Sequence, residues 1–208
     1  MDIHDIVSDG PVIPVLQFDT VAQGENVAKA LLAGGVRVLE ITLRTPAAMA
    51  VIKHVAGLSN ELIVGVGTLT RPEEMAQAVA AGARFGVSPG FTPALGAAAK
   101  AAGLPLLPGV ATPSEILEAM AAGYETVKFF PAEPSGGVPM LKALKGPFGN
   151  IRFCPTGGIS AESAPSYLAL ANVVCVGGSW LTPKPLVDAG DWAAITRLAK
   201  AASVLPRG

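Results

Sequence analysis

Charged side chains are scarce in this chain, and neither sign of charge dominates. Asp, Glu, Lys and Arg make up 15% of the 208 residues, and the formal net charge is −1. This balance provides no basic surface for a nucleic acid and no polybasic segment for an anionic membrane. We therefore predict that the protein binds neither, and that any anionic ligand is held by a local site.

Histidine is also scarce, which limits the chemistry of a metal or nucleophile site. The two histidines, His4 and His54, each stand apart from other candidate ligands in the sequence. This argues against a histidine-based zinc site and against a Cys–His or Ser–His nucleophile pair. The chain also lacks a glycine-rich dinucleotide fingerprint and a Walker motif. We predict a protein that uses neither a metal nor a cofactor.

The sequence has little that indicates secretion or membrane insertion. Its first ten residues, MDIHDIVSDG, are acidic and lack the positive region of a secretory signal. The longest charge-free run, residues 163–183, is interrupted by Pro165, Asn172 and glycines, so it does not predict a membrane helix. Cys154 and Cys175 each lie in an apolar run, as buried reduced thiols commonly do. We predict a soluble, cytoplasmic protein.

What the chain does contain is a regular alternation of apolar segments. Half of its residues are hydrophobic, and the mean hydropathy is +0.49. Short β-branched runs alternate with Ala-rich helical stretches, which is typical of parallel βα units. Eight units in 208 residues average 26 residues each, which is compact for a barrel. We predict one domain over residues 1–208, an α/β fold of the (β/α)₈ TIM-barrel type with a short extra helix over Met1–Asp9. The predicted strands are Val12–Phe18, Val36–Leu43, Leu62–Val66, Phe85–Ser88, Leu104–Leu107, Thr126–Phe130, Ile151–Cys154 and Val173–Val176.

Local signals mark the ends of several predicted helices. Thr45-Pro46, Thr92-Pro93 and Thr112-Pro113 each place an N-cap residue before a proline at the first helical position. Glycines follow five helices where a left-handed residue is expected, at Gly34, Gly57, Gly82, Gly103 and Gly123. The predicted helices are Val21–Ala33, Pro46–Ala56, Pro72–Ala81, Pro93–Ala102, Pro113–Ala122, Val138–Lys145, Ser163–Leu170 and Trp192–Ala202.

Two glycine pairs help to distinguish the barrel from an open doubly wound sheet. The open sheet predicts ligand-binding glycines mainly after the first strand. Here Gly157-Gly158 follows the seventh predicted strand, and Gly177-Gly178-Ser179 follows the eighth, where phosphate sites of barrels typically lie. Backbone N–H groups of such turns can converge on an anion without a formal positive charge. One Gly-Gly pair is usually only a turn, but two pairs at these positions favour a phosphate site.

Lys128 is the one lysine that lies within an apolar strand. An ammonium in that position loses hydration, which favours the neutral amine that attacks a carbonyl to form a Schiff base. Strand alternation places Thr126, Lys128 and Phe130 on one face. If the opposite face packs on the helices, Lys128 points into the barrel. The alternative is a lysine that extends to solvent along its aliphatic stem.

The second predicted strand carries two further charges on one face. Glu40, Thr42 and Arg44 alternate with apolar residues, so all three are expected to point inward. A buried acid–guanidinium pair can be purely structural, which leaves that interpretation open. An inward glutamate on one strand and an inward lysine on another is nevertheless a costly combination unless chemistry uses it.

Thr68 ends the third predicted strand and has two possible roles. It can cap a helix that starts near Leu69 or Arg71, or it can bind a substrate carboxylate together with Arg44. The second role is chemically reasonable because a guanidinium matches a carboxylate with two parallel hydrogen bonds.

Seven short motifs give the chain a family resemblance. In order and spacing they resemble 2-keto-3-deoxy-6-phosphogluconate (KDPG) aldolase of the Entner–Doudoroff pathway, and the resemblance extends from Pro11 to Pro183. The motifs are Leu39–Pro46, Val66–Thr68, Val87–Gly90, Leu107–Val110, Val127–Glu133, Phe153–Ile159 and Cys175–Trp180.

The resemblance implies a metal-independent class I aldolase that forms a trimer of (β/α)₈ barrels. Such an enzyme cleaves 2-dehydro-3-deoxy-6-phosphogluconate, a phosphorylated keto-deoxy sugar acid, into pyruvate and D-glyceraldehyde 3-phosphate. It also implies that Lys128 forms the Schiff base, that Glu40 is the acid–base residue, and that Arg44 and Thr68 bind the carboxylate. The other matched positions are the pocket residues Pro89, Phe130 and Thr156 and the phosphate-region residues Gly157, Gly158, Gly178 and Ser179.

Other readings of the same residues remain open. An aldolase for the C4 epimer, the 6-phosphogalactonate derivative, would share the lysine, the glutamate and the phosphate site, although Ile41–Arg44 favours the gluconate form. A 4-hydroxy-2-oxoglutarate aldolase belongs to the same group. A non-catalytic sugar-phosphate-binding barrel would keep the glycine turns, but it would have no reason to retain both Lys128 and Glu40.

Overall fold

The computed structural model describes residues 1–208, which form an α/β structure with curled parallel sheets. It contains nine strand segments, β1 to β9, and ten helices, α1 to α10. The strands are β1 Val12–Leu16, β2 Val38–Thr42, β3 Ile63–Gly67, β4 Phe85–Val87, β5 Leu106–Leu107, β6 Gly109–Val110, β7 Thr126–Phe129, β8 Arg152–Pro155 and β9 Val176–Gly178. The helices are α1 Ile3–Val7, α2 Val21–Ala33, α3 Ala48–Ala56, α4 Glu74–Ala80, α5 Pro93–Ala101, α6 Pro113–Ala121, α7 Gly137–Lys145, α8 Ala164–Leu168, α9 Lys184–Ala189 and α10 Trp192–Ser203.

All strand pairs are parallel. One sheet has the order β5-β4-β3-β2-β1-β9, and a second has the order β6-β7-β8. Only Pro108 separates β5 from β6, and a proline cannot donate to a strand ladder. Two isolated parallel bridges, Phe153 with Val173 and Thr156 with Gly177, connect β8 to the segment that contains β9.

The hydrophobic core has two parts, one on each side of the curled sheets. The larger cluster of 46 buried residues includes the helix faces that pack on the strands. The smaller cluster of 10 residues includes Ile13, Val38 and Ile63, which stand near the starts of β1, β2 and β3. Helix α1 adds Ile6 and Val7 to this second cluster, so it covers the interior at the amino-terminal ends of the strands.

The short N-terminal helix and the alternation of strands and helices agree with the sequence prediction, but some boundaries differ. The fifth predicted strand, Leu104–Leu107, is observed as β5 over Leu106–Leu107 only, and a further segment, β6, follows it after Pro108. Helix α9 was not predicted. It contains Pro185 in its first turn, is followed by Gly190 as its C-cap, and has no buried residue, so no apolar stripe marks it in the sequence. No helix of the protein has the length and apolar character needed to cross a bilayer.

The N-cap predictions hold at two of three positions. Thr92 and Thr112 cap α5 and α6, and Thr112 forms a full capping box with Glu115. The prediction for Thr45 is wrong, because α3 begins at Ala48 without a side-chain cap. The Thr45 hydroxyl instead donates to the Phe18 carbonyl at 2.6 Å, which fixes the loop after β2 against the loop after β1.

The helix-end glycines also differ in part from prediction. Gly82, Gly103 and Gly123 adopt positive φ values of 90°, 65° and 90°, as expected. Gly34 does not, since its φ is −86° and the next residue, Gly35, takes the left-handed conformation instead. A Cβ at Gly34 would lie 2.7 Å from the Thr196 carbonyl of α10, so this glycine allows two helices to approach closely. Gly57 also keeps a negative φ, of −89°.

Candidate active site

A cavity of about 260 Å³ opens at the carboxyl-terminal ends of several strands. It brings together eight of the predicted site residues, namely Arg44, Lys128, Phe130, Thr156, Gly157, Gly158, Gly178 and Ser179. Glu40 reaches it through its ion pair with Lys128. Residues that are far apart in the sequence therefore share one space.

Lys128 and Glu40 form a buried ion pair beside this cavity. Lys128 is 6% exposed and Glu40 is 4% exposed, whereas each of the other seven lysines is exposed. The Lys128 Nζ lies 3.4 Å from Glu40 Oε1. Desolvating two charges costs several kcal/mol per ion, and their attraction repays this only with good geometry. A core that only needed stability would be served as well by apolar side chains.

The sheet register determines how these two side chains meet. Val15 on β1 is opposite Glu40, and Gly65 on β3 lies on its other side. Two residues further along β3, a Cβ at Gly67 would collide with the Glu40 carboxylate. The absence of a side chain at Gly67 thus leaves the space in which the carboxylate lies.

Arg44 is not the ionic partner of Glu40. The structural acid–guanidinium pair that the sequence left open does not form, because the Glu40 carboxylate pairs with Lys128. Arg44 lies beyond the end of β2, is exposed, and lines the cavity at its mouth. Arg44 shares this cavity with Thr42 and Lys128, as its predicted place on their face implies, but it lies at the solvent-exposed mouth because β2 ends at Thr42.

Further side chains surround the Lys128 amine. The Phe130 ring centroid lies 5.1 Å from Lys128 Nζ, a distance at which the ring face attracts a cation. Thr42 is 1% exposed and donates its hydroxyl proton to the Leu16 carbonyl at 2.8 Å. Thr156 directly follows β8, the strand paired with β7, and its hydroxyl is 3.5 Å from the Cys154 carbonyl. The amine thus has an aromatic and a carboxylate neighbour, and Thr42 and Thr156 line the same cavity.

The glycine turns at the rim offer unused hydrogen-bond donors. The backbone amides of Gly157, Gly158 and Ser179 have no hydrogen-bond acceptor within the protein. Gly157 and Gly158 have φ values of +106° and +82°, which residues with a Cβ rarely adopt. Successive amides in such a turn form a concave, anion-binding surface. The structure therefore brings both predicted glycine pairs to one cavity, although Gly177 and Gly178 lie within β9 and not in a turn after it.

Thr68 and Pro89 lie near this cavity but do not line it. Thr68 directly follows Gly67, the glycine on which the Glu40 carboxylate packs, and is half-buried. It does not cap a helix, because α4 begins at Glu74 and has no side-chain cap. The Pro89 carbonyl packs closely on Gly109, which is opposite Lys128 in the strand register.

Gln17 is a cavity residue that the sequence analysis missed. It follows β1, lines the cavity of Lys128, and also lines an adjoining cavity of about 290 Å³. Its position was open to inference, because Ile13, Val15 and Gln17 alternate on the same face as Glu40 in the next strand. A polar residue at the end of an otherwise apolar strand was the available signal.

The two cysteines lie beneath the site as free, buried thiols. Burial raises the pKa of the Cys175 thiol well above its usual value, and the neighbouring Cys154 acts in the same direction. The thiol at Cys175 therefore stays protonated near neutral pH, and it is not an activated nucleophile. No group of three or more His, Cys, Asp or Glu side chains is arranged to hold a metal ion.

A second, larger cavity of about 470 Å³ lies at the opposite end of the strands. It is lined by residues such as His4, Tyr124 and Arg152, and His4 Nδ1 lies 3.3 Å from the Thr126 hydroxyl. Its lining includes neither Lys128 nor either glycine pair. The smaller cavity is therefore the candidate active site.

The fold and this cavity together define an α/β protein with an enclosed amine–carboxylate pair at the carboxyl ends of parallel strands. A family model for KDPG and KHG aldolase matches residues 3–198, and the chain belongs to this family. A 2-dehydro-3-deoxy-phosphogluconate aldolase from Pseudoalteromonas atlantica is 52% identical over 199 residues, which cover 96% of this chain and 93% of that protein. A KHG/KDPG aldolase from Escherichia coli is 49% identical over 199 residues, with the same coverage of 96% and 93%.

A solved structure is similar throughout. KDPG aldolase from Legionella pneumophila, with pyruvate captured at low pH as a covalent carbinolamine intermediate, superposes with a TM-score of 0.95. Its sequence is 43% identical, and the match covers 98% of each chain.

Proposed function

We propose that this protein is a class I aldolase that cleaves 2-dehydro-3-deoxy-6-phosphogluconate into pyruvate and D-glyceraldehyde 3-phosphate. The observation that carries the proposal is the buried Lys128 amine, 3.4 Å from Glu40, in a cavity whose rim offers free amides. The names of the relatives support the reaction class. The covalent pyruvate in the Legionella pneumophila structure supports an imine mechanism.

The reaction begins at the Lys128 amine. Glu40 takes a proton from the ammonium, and the neutral Nζ attacks the C2 ketone to give a carbinolamine. Glu40 returns that proton to the carbinolamine hydroxyl, which leaves as water, so that a protonated imine links Lys128 to C2 and Glu40 is again a carboxylate. The positive nitrogen of the imine accepts electrons, so it prepares C2 for cleavage of the neighbouring carbon–carbon bond.

Glu40 also carries the proton transfers of the cleavage step. As the carboxylate, directly or through water, it removes the proton of the C4 hydroxyl. The C3–C4 electron pair moves toward C2 and the imine nitrogen, which releases the aldehyde and leaves an enamine of pyruvate. The protonated Glu40 then returns its proton to C3, and water hydrolyses the imine to release pyruvate and restore the Lys128 amine.

The two anionic ends of the substrate are assigned to different parts of the rim. Arg44 and Thr68 bind the carboxylate next to C2, with the guanidinium as the charged donor. The amides around Gly157, Gly158 and Gly178, with the Ser179 hydroxyl, bind the phosphate. Phe130 and Thr156 form the walls between these two ends, and Pro89 lies nearby against Gly109. Placing the anions apart holds the C3–C4 bond near Lys128 and Glu40.

The architecture that holds this site is proposed to be one domain with a closed eight-stranded barrel. Counting β5 and β6 as one strand broken at Pro108 gives eight strands. The bridge between Thr156 and Gly177 lies between the seventh and eighth of these, which supports closure. The shared core of 46 residues supports a single domain.

We also propose that the protein is a homotrimer. Leu117 and Met120 are 57% and 41% exposed and stand three residues apart on α6, so they form an apolar pair on one helix face. Covering such a pair is a common reason for self-association. Analytical ultracentrifugation should give an assembly mass of three times 21.0 kDa. The Leu117→Glu variant should have a lower assembly mass. A wild-type mass of 21.0 kDa at micromolar concentration would contradict the trimer.

A second activity, on 4-hydroxy-2-oxoglutarate, is favoured by one specific observation. The Escherichia coli relative, which is 49% identical, is named for both KDPG and KHG, and KHG is an abbreviation for 4-hydroxy-2-oxoglutarate under its older name. Comparing kcat/KM for the two substrates separates the activities. Adding the C4 epimer to the same assay tests the 6-phosphogalactonate alternative. A non-catalytic binding barrel is disfavoured because it has no use for the Lys128–Glu40 pair.

One experiment tests the proposed function directly. The purified protein is incubated with pyruvate and borohydride, which reduces an imine to a stable adduct, and the labelled peptide is located by mass spectrometry. We expect the adduct at Lys128 alone, together with release of pyruvate from the phosphorylated substrate in a rate assay that EDTA leaves unchanged. An adduct at Lys142 or Lys145, or no adduct, would reject the assignment.

A further inference from the structure

Glu133 has no role in the proposed chemistry, although it belongs to the same sequence motif as Lys128. Its Oε1 accepts a hydrogen bond of 2.6 Å from the Tyr167 hydroxyl on α8. Tyr167 is only 1% exposed, so the bond has a fixed, buried donor. Burial raises the pKa of Tyr167, and the Glu133 carboxylate raises it further, so the phenol remains a donor at neutral pH.

The backbone of Glu133 is joined to the first glycine turn. Its amide donates to the Gly157 carbonyl at 3.0 Å, and the amide of Ala132 donates to the Thr156 carbonyl at 2.8 Å. These bonds extend the pairing of β7 with β8 beyond both strands. The Gly157 carbonyl thus accepts a hydrogen bond from Glu133, whereas the Gly157 amide has no acceptor within the protein.

The side chain of Glu133 also packs on the second glycine of the turn. A Cβ at Gly158 would lie 2.7 Å from both Cβ and Cγ of Glu133, which is closer than real Cβ atoms approach. At the other end of the carboxylate, a Cβ at Gly137 would lie 2.9 Å from the Tyr167 hydroxyl. Glycines therefore make room for both ends of the Glu133–Tyr167 pair.

We infer that Glu133 is a positioning residue that fixes the Gly157-Gly158 turn for the substrate's phosphate, with Tyr167 fixing Glu133. This inference rests on the phosphate site of the proposed function. Glu133 acts through its shape and its hydrogen bonds and not through its charge, because the negative charge of a carboxylate repels a phosphate dianion. The Tyr167 hydroxyl offsets part of that charge at Oε1. A glutamine at this position keeps the shape and the acceptor, so it should keep the function.

Three variants test the inference with two substrates. For Glu133→Ala we expect KM for the phosphorylated substrate to rise about tenfold, the effect of weakening one hydrogen bond to a charged group, with kcat little changed. Glu133→Gln should stay within about twofold of the wild type. Tyr167→Phe should raise the same KM in the same direction as Glu133→Ala. Cleavage of 4-hydroxy-2-oxoglutarate, which has no phosphate, should change in none of them.

A matched control and a second readout separate this role from a general effect on the fold. Glu162→Ala removes an exposed carboxylate whose side-chain partner is Ser160, so it should leave both KM values unchanged. Titration with inorganic phosphate, followed by ¹⁵N NMR, should shift the amide signals of Gly157 and Gly158 in the wild type. The shifts should require higher phosphate concentrations in Glu133→Ala. If that variant does not fold, the comparison is made with Tyr167→Phe, which keeps the carboxylate.

The outcomes distinguish this inference from the proposed function. Equal losses on both substrates, or a Glu133→Gln variant as impaired as Glu133→Ala, would overturn the positioning role. Wild-type amides of Gly157 and Gly158 that do not respond to phosphate would also overturn it, even if Lys128 forms the pyruvate adduct. If phosphate shifts these amides in a Glu133-dependent way but no substrate is cleaved, the positioning role stands and the aldolase assignment fails.

Discussion

The Lys128 ammonium on β7 and the Glu40 carboxylate on β2 lie 3.4 Å apart, although 88 residues separate them in the sequence. Both side chains are almost fully buried. Each strand alone presents one charged group on an apolar surface, which is unfavourable. The sheets bring the two charges together beside one cavity, and the predictions that follow test what each group does there.

Replacing Lys128 by arginine should abolish turnover and pyruvate trapping. Arginine keeps the positive charge that pairs with Glu40, but its guanidinium does not provide a neutral amine. The measurement is the rate of pyruvate release, with circular dichroism to verify folding. Lys142→Arg, at an exposed position on α7, is the control and should be fully active. Residual wild-type activity in Lys128→Arg would mean that another group forms the covalent bond.

Replacing Glu40 by glutamine should lower kcat by about 10²- to 10⁴-fold, the usual contribution of general acid–base catalysis. Glutamine keeps the size of the side chain, but its amide does not act as a general acid or base near neutral pH. Trapping of pyruvate at Lys128 should persist at least in part, because imine formation needs less from Glu40 than cleavage does. Glu118→Gln, on the exposed face of α6, serves as the control. Full activity of Glu40→Gln would reduce Glu40 to an ionic partner of Lys128.

Replacing Ser179 by alanine should weaken the use of the phosphorylated substrate. A hydrogen bond to a charged group contributes about 1.5–3 kcal/mol, which corresponds to a loss of about 10- to 150-fold in kcat/KM. A non-phosphorylated 2-keto-4-hydroxy acid makes no such contact, so its cleavage should scarcely change. Equal losses on both substrates would indicate that Ser179 supports the fold or the chemistry, and that the phosphate binds elsewhere.

Adding a methyl group at Gly67 should displace the Glu40 carboxylate. In Gly67→Ala the new Cβ collides with Glu40, and overpacking of this kind costs about 1–3 kcal/mol. We expect kcat to fall about tenfold or more, because the proton transfers depend on the position of Glu40. Gly10→Ala is the matched control, since no atom lies within 4 Å of its added Cβ. Wild-type kcat in Gly67→Ala would show that the carboxylate has room to move without loss.

Stability should fall at alkaline pH through the buried thiol. Burial raises the pKa of Cys175 in the folded protein. Above pH 9.0, the ordinary pKa of a thiol, the unfolded protein therefore loses the Cys175 proton while the folded protein keeps it. The contribution of Cys175 to the free energy of unfolding is fully present below pH 9.0. Above pH 9.0 it is lost by about 1.4 kcal/mol per pH unit, until the pKa of the folded thiol is reached. Urea unfolding between pH 9.0 and 10.0 measures this loss, before the tyrosines with an ordinary pKa of 10.0 contribute strongly.

Cys175→Ala isolates the thiol in that experiment. Its free energy of unfolding is lowered by a cavity at every pH, but its dependence on pH should be weaker than that of the wild type. Parallel pH profiles for the two proteins would contradict the assignment of the effect to Cys175.

Much of the fold followed from local patterns in the sequence. Helix α2 has the predicted bounds, and Thr92 and Thr112 cap their helices as the Thr-Pro signals indicated. These features depend on a few consecutive residues, so the sequence contains their physical cause. Thr45 carried the same signal and was wrong, because the Phe18 carbonyl, supplied by a distant loop, took its hydroxyl. A local pattern does not predict such a competing partner.

By itself, the sequence determined which residues are candidates for the chemistry: a lysine and a glutamate in apolar strands, and two glycine pairs near the ends of the last strands. Alternation in each strand fixes which side chains share a face, and this requires no knowledge of the neighbouring strands. Only the tertiary structure decided that the partner of Glu40 is Lys128 rather than Arg44, that Gly67 makes room for the carboxylate, and that Glu133 packs on the Gly157-Gly158 turn. These contacts depend on the register between strands and on the space left by side chains far away in the sequence, and both are set only when the whole chain packs.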